Sequence, residues 1–132
     1  MMDIKETADG LHVKGFNCAQ AVLCANCKYI GLDEKTALAV AGGMGGGVRC
    51  GEICGAASGA VMALGMAYPY TDCTNAEAKA FIAKQAIAFT DEFKKRFGCI
   101  RCEELKKKGI PCSELIKQSA EIAEEMILNG RK

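Results

Sequence analysis

The stretch from Gly51 to Met66 constrains the fold of this chain more than any other. Ala56, Ala57, Gly59, Ala60, Ala63 and Gly65 leave it with little side-chain bulk on nearly every side. A helix this narrow lets its neighbours approach closely, and its low propensity must be offset by tertiary packing. It therefore reads as a central helix with the others around it. From Ile53 to Asp72 no charge occurs before the last residue, a length that approaches a bilayer span. Gly55, Gly59, Gly65, Ser58 and Pro69 within it favour a buried core helix over a membrane segment.

The other segments also follow helical periodicity. Ile4, Ala8 and Leu11 place a helix over Asp3 to Val13, with Gly15 as its stop. Asn17 is a suitable cap for a helix over Cys18 to Ile30, closed by Gly31, and Asp33 caps another over Glu34 to Ala41. Five glycines between Gly42 and Gly47 break the chain. Thr74 or Asn75 caps a long amphipathic helix over Ala76 to Phe97, whose stripe is Ile82, Ala86, Phe89, Phe93 and Phe97. A helical turn over Glu103 to Lys107 follows. The last helix begins at Cys112 or Ser113 and runs to Leu128. No alternating strand pattern of useful length occurs. The expectation is an all-α fold, a compact single-domain bundle of five to seven helices covering residues 1–132.

Charge excludes some functions. The net charge is +1, no basic stripe is present and Trp is absent, which argues against nucleic-acid binding. The glycine run matches neither a Walker pattern nor a dinucleotide fingerprint, and it follows a helix instead of a strand. Lys106-Lys107-Lys108 and Glu124-Glu125 read as solvated faces, and the single histidine, His12, as structural or solvated.

Nine cysteines remain to be explained. The N-terminus lacks an apolar signal core, so the expected compartment is the cytoplasm, where thiols are kept reduced. An odd count in such a chain points to redox or metal chemistry, not to a disulfide scaffold. Cys54 falls in the first turn of the central helix. There, unpaired amides and the helix dipole favour a thiolate, and the glycine loop before it could wrap its amides around an anion. Cys18 and Cys112 also open helices, and Cys102 lies near the start of another. If these ends converge they form a pocket suited to thiolates. Cys50 and Cys99 stand close by as helpers. The two Cys-x-x-Cys pairs, Cys24 with Cys27 and Cys99 with Cys102, have a spacing that suits metal or dithiol chemistry, but no zinc-finger layout completes them. Cys73 sits in a polar turn.

Several of these pieces together resemble one family. They are Gly15-Phe16-Asn17-Cys18-Ala19-Gln20, Gly45-Gly46-Gly47, and Cys54-Gly55-Ala56-Ala57-Ser58-Gly59-Ala60 running into Ala63-Leu64-Gly65. Cys102-Glu103-Glu104-Leu105 and Cys112-Ser113-Glu114-Leu115 complete the set. The chain resembles, over nearly its whole length, the redox-active proteins written C_GCAxxG_C_C. The resemblance implies a four-cysteine set at Cys18, Cys54, Cys102 and Cys112 and a redox role. Cys50 and Cys99 are extra to it. It also makes an iron–sulfur cluster plausible, because a similar domain accompanies haem in some split-Soret cytochromes, where an iron–sulfur centre is associated with it. No Cys-x-x-Cys-His is present for covalent haem.

Two chemical readings follow. In one, Cys54 attacks and Cys102, Cys112 or Cys18 resolves, in exchange with an electron donor or acceptor that the sequence does not identify. In the other, the same four thiolates bind zinc or an iron–sulfur cluster. A third reading is a helical interaction module with structural cysteines. The narrow helix and six methionines are compatible with a homodimer.

Overall fold

A computed structural model describes residues 3–130 of the chain. The fold is all-α, with α1 (Ile4–Lys14), α2 (Cys18–Ala25), α3 (Cys27–Ile30) and α4 (Glu34–Val40) in the first part. After the glycine-rich loop come α5 (Gly55–Ala67), α6 (Ala76–Phe97), α7 (Cys102–Lys107) and α8 (Cys112–Asn129). Two of these eight segments are short pieces, α3 and α7, so the main bundle matches the five to seven helices expected. No helix among the described residues is long and apolar enough to cross a membrane.

The narrow helix α5 lies at the centre, against α2, α3, α6 and α8, while α1 packs on α2 and α8. Small residues set the spacing. A Cβ at Gly59 would stand 2.5 Å from the Ala19 carbonyl oxygen, so α2 and α5 meet almost backbone to backbone. Around this contact Val22, Leu23, Leu64, Phe89, Phe93, Ile116 and Ile127 are fully buried. Local caps fix the ends. Asp3 accepts the Glu6 amide, Asp33 accepts the Thr36 amide and Asn75 accepts the Ala78 amide. Gly98 ends α6 at φ 86, a left-handed conformation that favours glycine.

Two boundaries differ from the sequence expectation. The helix expected over Cys18 to Ile30 breaks at Asn26, whose buried side-chain amide donates to the Val22 carbonyl while its backbone N–H turns to Leu23. The side chain competes for a carbonyl of the helical ladder and the helix divides there. The central helix begins at Gly55 instead of Gly51. Ile53 forms an isolated antiparallel bridge with Arg101, in which the Cys54 amide donates to the Ile100 carbonyl and the Cys102 amide to the Glu52 carbonyl. This long-range pairing holds residues 52–54 extended. Just before it, Val48 and Arg49 take left-handed backbone angles, φ 58 and φ 61. For non-glycine residues these cost about 1–3 kcal/mol each.

Candidate functional site: four cysteines around one cavity

The bridge and the helix starts bring four thiols together. Cys18, Cys54, Cys102 and Cys112 line one enclosed cavity of about 70 Å³, closed by Leu105, Ile110 and Leu115. Each comes from a different helix start. Cys18 is the first residue of α2, Cys102 of α7 and Cys112 of α8, and Cys54 is the residue that caps α5. Cys54 is buried, and the other three are partly exposed.

Local structure explains how two of them are held. Asn17 and Gln20 form a reciprocal capping box, with the Gln20 amide donating to Asn17 Oδ1 and the Asn17 amide to Gln20 Oε1. The Asn17 side-chain amide also donates to the Gly42 carbonyl, and the Gln20 side chain donates to the Leu38 carbonyl. The glycine-rich loop is thereby tied to the start of α2. A Cβ at Gly45 would stand 2.7 Å from the Asn17 Cβ, and one at Gly55 would stand 3.3 Å from the Cys18 Cβ. The glycine run therefore lets Asn17 approach the loop, and it brings Gly46 to the cavity wall.

Electrostatics in the cavity run against a simple thiolate. Burial pushes the Cys18 thiol up to about 12, aided by the neighbouring Cys112, Cys54 and Cys102 thiols. Burial also raises the Cys54 thiol above its ordinary value, while the Ala57 and Ala56 amides pull it down. Helix-start position alone predicts a lowered Cys54. The amides do act as expected, but desolvation outweighs them.

The helpers divide. Cys50 is exposed in the turn at 47–51, its thiol 3.4 Å from the Gly47 carbonyl, and it lines a second, open cavity together with Cys102. Cys99 is partly buried against the core and lines neither cavity, so the Cys99–Cys102 pair does not face one space as a unit. Cys24 and Cys27 are buried across the α2–α3 break, with the Cys24 sulfur 3.8 Å from Glu34 Oε1. Cys73 is exposed in the turn before α6.

The lysine run is not one solvated face. Lys106 lines the thiol cavity, and Lys108 Nζ donates to the Phe97 carbonyl at the end of α6. The spacing could have signalled the first of these, since residues four apart on a helix share a face, and Cys102 and Lys106 are so spaced. Glu124 accepts a hydrogen bond from the Tyr29 hydroxyl, so it too is more than a solvated charge.

Four sulfurs are the donor type that zinc and iron–sulfur centres use. No group of three or more His, Cys, Asp or Glu among the described residues is arranged to hold a metal ion. The donors are of the right kind, but their present arrangement does not close around an ion.

These features define a small all-α protein that gathers cysteines from distant segments at the starts of its helices. The chain belongs to the family described as putative redox-active protein (C_GCAxxG_C_C), whose model matches residues 16–126. Neither the curated proteins nor the solved structures give a significant match.

Proposed function

We propose that this chain is a thiol–disulfide redox protein working through Cys18, Cys54, Cys102 and Cys112. The observation that carries the reading is their position around one enclosed cavity. Cys54 is the thiol at which helix-start amides act directly, because those of Ala57 and Ala56 offset part of its burial. It attacks one sulfur of an external disulfide, whose S–S bond breaks as one sulfur leaves with a proton. A second cavity thiol then attacks the Cys54 sulfur and releases the other half. Two protein thiols are oxidised and one external disulfide becomes two thiols. Membership in a redox-active family supports this reading.

The test is anaerobic purification with metal analysis and a visible spectrum, followed by thiol counting with and without reductant. The expected result is a reversible loss of two thiols within the four-cysteine set. Stoichiometric metal with a matching chromophore would move the same cysteines to a ligand role. Nine thiols inert under native conditions would end both readings.

A further inference from the structure

The enclosed cavity has a neighbour. An open cavity of about 440 Å³ lies against it, walled by Gly46, Arg49, Cys50, Cys102, Glu103 and Lys106. Gly46, Cys102 and Lys106 line both spaces, so Cys102 stands in the partition between the outer cavity and the four-thiol cavity. The outer cavity thus holds an exposed thiol and gives access to Cys102, one of the four cavity cysteines.

Its charge is unbalanced. The two oxygens of Glu103 are engaged, one by Lys107 at 3.5 Å and the other by Arg101 at 3.5 Å. Arg49 and Lys106 make no ion pair among the described residues. Two cations therefore stand outside the cluster in which Arg101 serves Glu52, Glu103 and Glu104, and they flank two thiols in a space of small-molecule size. A cation of this kind attracts carboxylates, most strongly at low salt.

We propose that the outer cavity is the docking site for a low-molecular-weight disulfide bearing carboxylates, held by Arg49 and Lys106 and opened by Cys50. This rests on the thiol–disulfide reading above and adds an entry step to it, in which Cys50 instead of Cys54 meets the small disulfide and the cavity thiols are oxidised afterwards. Cys50 gives its proton to solvent and attacks one sulfur of the bound disulfide. A bond forms between Cys50 and that sulfur, the original S–S bond breaks, and the departing thiolate takes a proton from solvent. Cys102 then gives its proton to solvent and attacks the Cys50 sulfur, and the second small thiolate leaves and takes a proton from solvent. The balance is two protein thiols oxidised to one disulfide and one small disulfide reduced to two small thiols. A thiol behind Cys102 gives its proton to solvent and attacks the Cys102 sulfur, Cys50 leaves and is protonated, and the electrons thus originate in the enclosed set.

The experiment uses the full chain, reduced and metal-free. Its oxidation is followed by mass spectrometry with three probes, the anionic glutathione disulfide, the neutral bis(2-hydroxyethyl) disulfide and the cationic cystamine. Each rate is divided by the rate of that probe with a free cysteine derivative, which removes intrinsic reactivity. The expected result is a preference of about tenfold for the anionic over the neutral probe at low salt, with cystamine slowest. High salt and the double change Arg49→Gln with Lys106→Gln should both bring the ratio close to one. Cys50→Ser should abolish the mixed disulfide at position 50. Equal rates for the three probes, or a preference that survives the double change, would overturn the docking site. If every probe oxidises the cavity cysteines equally well without Cys50, the thiol–disulfide reading stands and this entry route fails. If no probe oxidises any of the four cavity cysteines, the thiol–disulfide reading itself fails. Unchanged melting temperatures in the variants separate these outcomes from misfolding.

Discussion

Gly59 of α5 and Ala19 of α2 meet so closely that a Cβ at 59 would lie 2.5 Å from the Ala19 carbonyl oxygen and 3.0 Å from its Cα. This contact fixes the distance between the helices that carry Cys54 and Cys18. On helix propensity alone, Gly59→Ala should stabilise the protein by about 1 kcal/mol. The clash is with backbone, which cannot rotate away, so the sign reverses. We expect a net loss of about 1–3 kcal/mol in urea unfolding, with faster alkylation of Cys18 and Cys54 as the helices separate. A stability gain would show that α2 and α5 do not pack this closely.

Removing the Asn17 side chain takes away both the capping box and the tie to the Gly42 carbonyl. Asn17→Ala should cost about 1–2 kcal/mol. Because Cys18 is the next residue, its alkylation should quicken more than that of Cys112, as read by peptide mapping. Asn17→Asp retains the acceptor for the Gln20 amide but loses the donor to the Gly42 carbonyl, so it should recover only the cap's share of the stability. Equal losses in the two variants would argue against the cap.

Stability should fall in alkaline solution. Burial, Cys27 and Glu34 push the Cys24 thiol from its ordinary 9.0 up to about 12. The Cys27 thiol is raised too, mainly by burial. Above pH 9 the unfolded chain loses a proton that the folded chain keeps, so it is favoured as pH rises. The contribution is whole below pH 9 and lost progressively towards pH 12. Urea midpoints of reduced, metal-free protein should therefore drop through this window, and Cys24→Ala should flatten the slope. An unchanged slope in the variant would mean that other groups cause the loss.

The Tyr68 hydroxyl lies 2.8 Å from the Met126 carbonyl and 3.0 Å from that of Ile127, and donates to the last turn of α8. Tyr68→Phe should cost about 1 kcal/mol. Hydrogen exchange should show the loss locally, as weaker protection at the C-terminal end of α8 and none at Cys112.

The legible part of the fold was local. Asp3, Asn17, Asp33 and Gly98 announce helix ends through their own chemistry, and small residues from Ala56 to Gly65 announce a helix that others surround. The start of α5 was not legible, because Ile53 pairs with Arg101 and pairing across that separation leaves no periodic trace. The break at Asn26 was hidden by an apolar pattern that continues through it. Cys18, Cys54, Cys102 and Cys112 could each be placed at or near a helix start, but their shared cavity depends on how four helices pack. The place of Arg49 in the outer cavity wall was obscured for the same reason, whereas that of Lys106 follows from its spacing to Cys102 on α7.

The four cysteines of the cavity occupy positions 18, 54, 102 and 112, so no single segment of the chain contains the site. Closing it requires contacts distant in sequence, and their loop entropy must be met before packing repays it. A chain still folding presents nine thiols with no preferred pairing. Refolding should accordingly be faster and cleaner in reductant than in air, where early crosslinks trap the wrong topology. The cavity is thus a marker of completed folding, and its chemistry becomes available only after the last helix has docked.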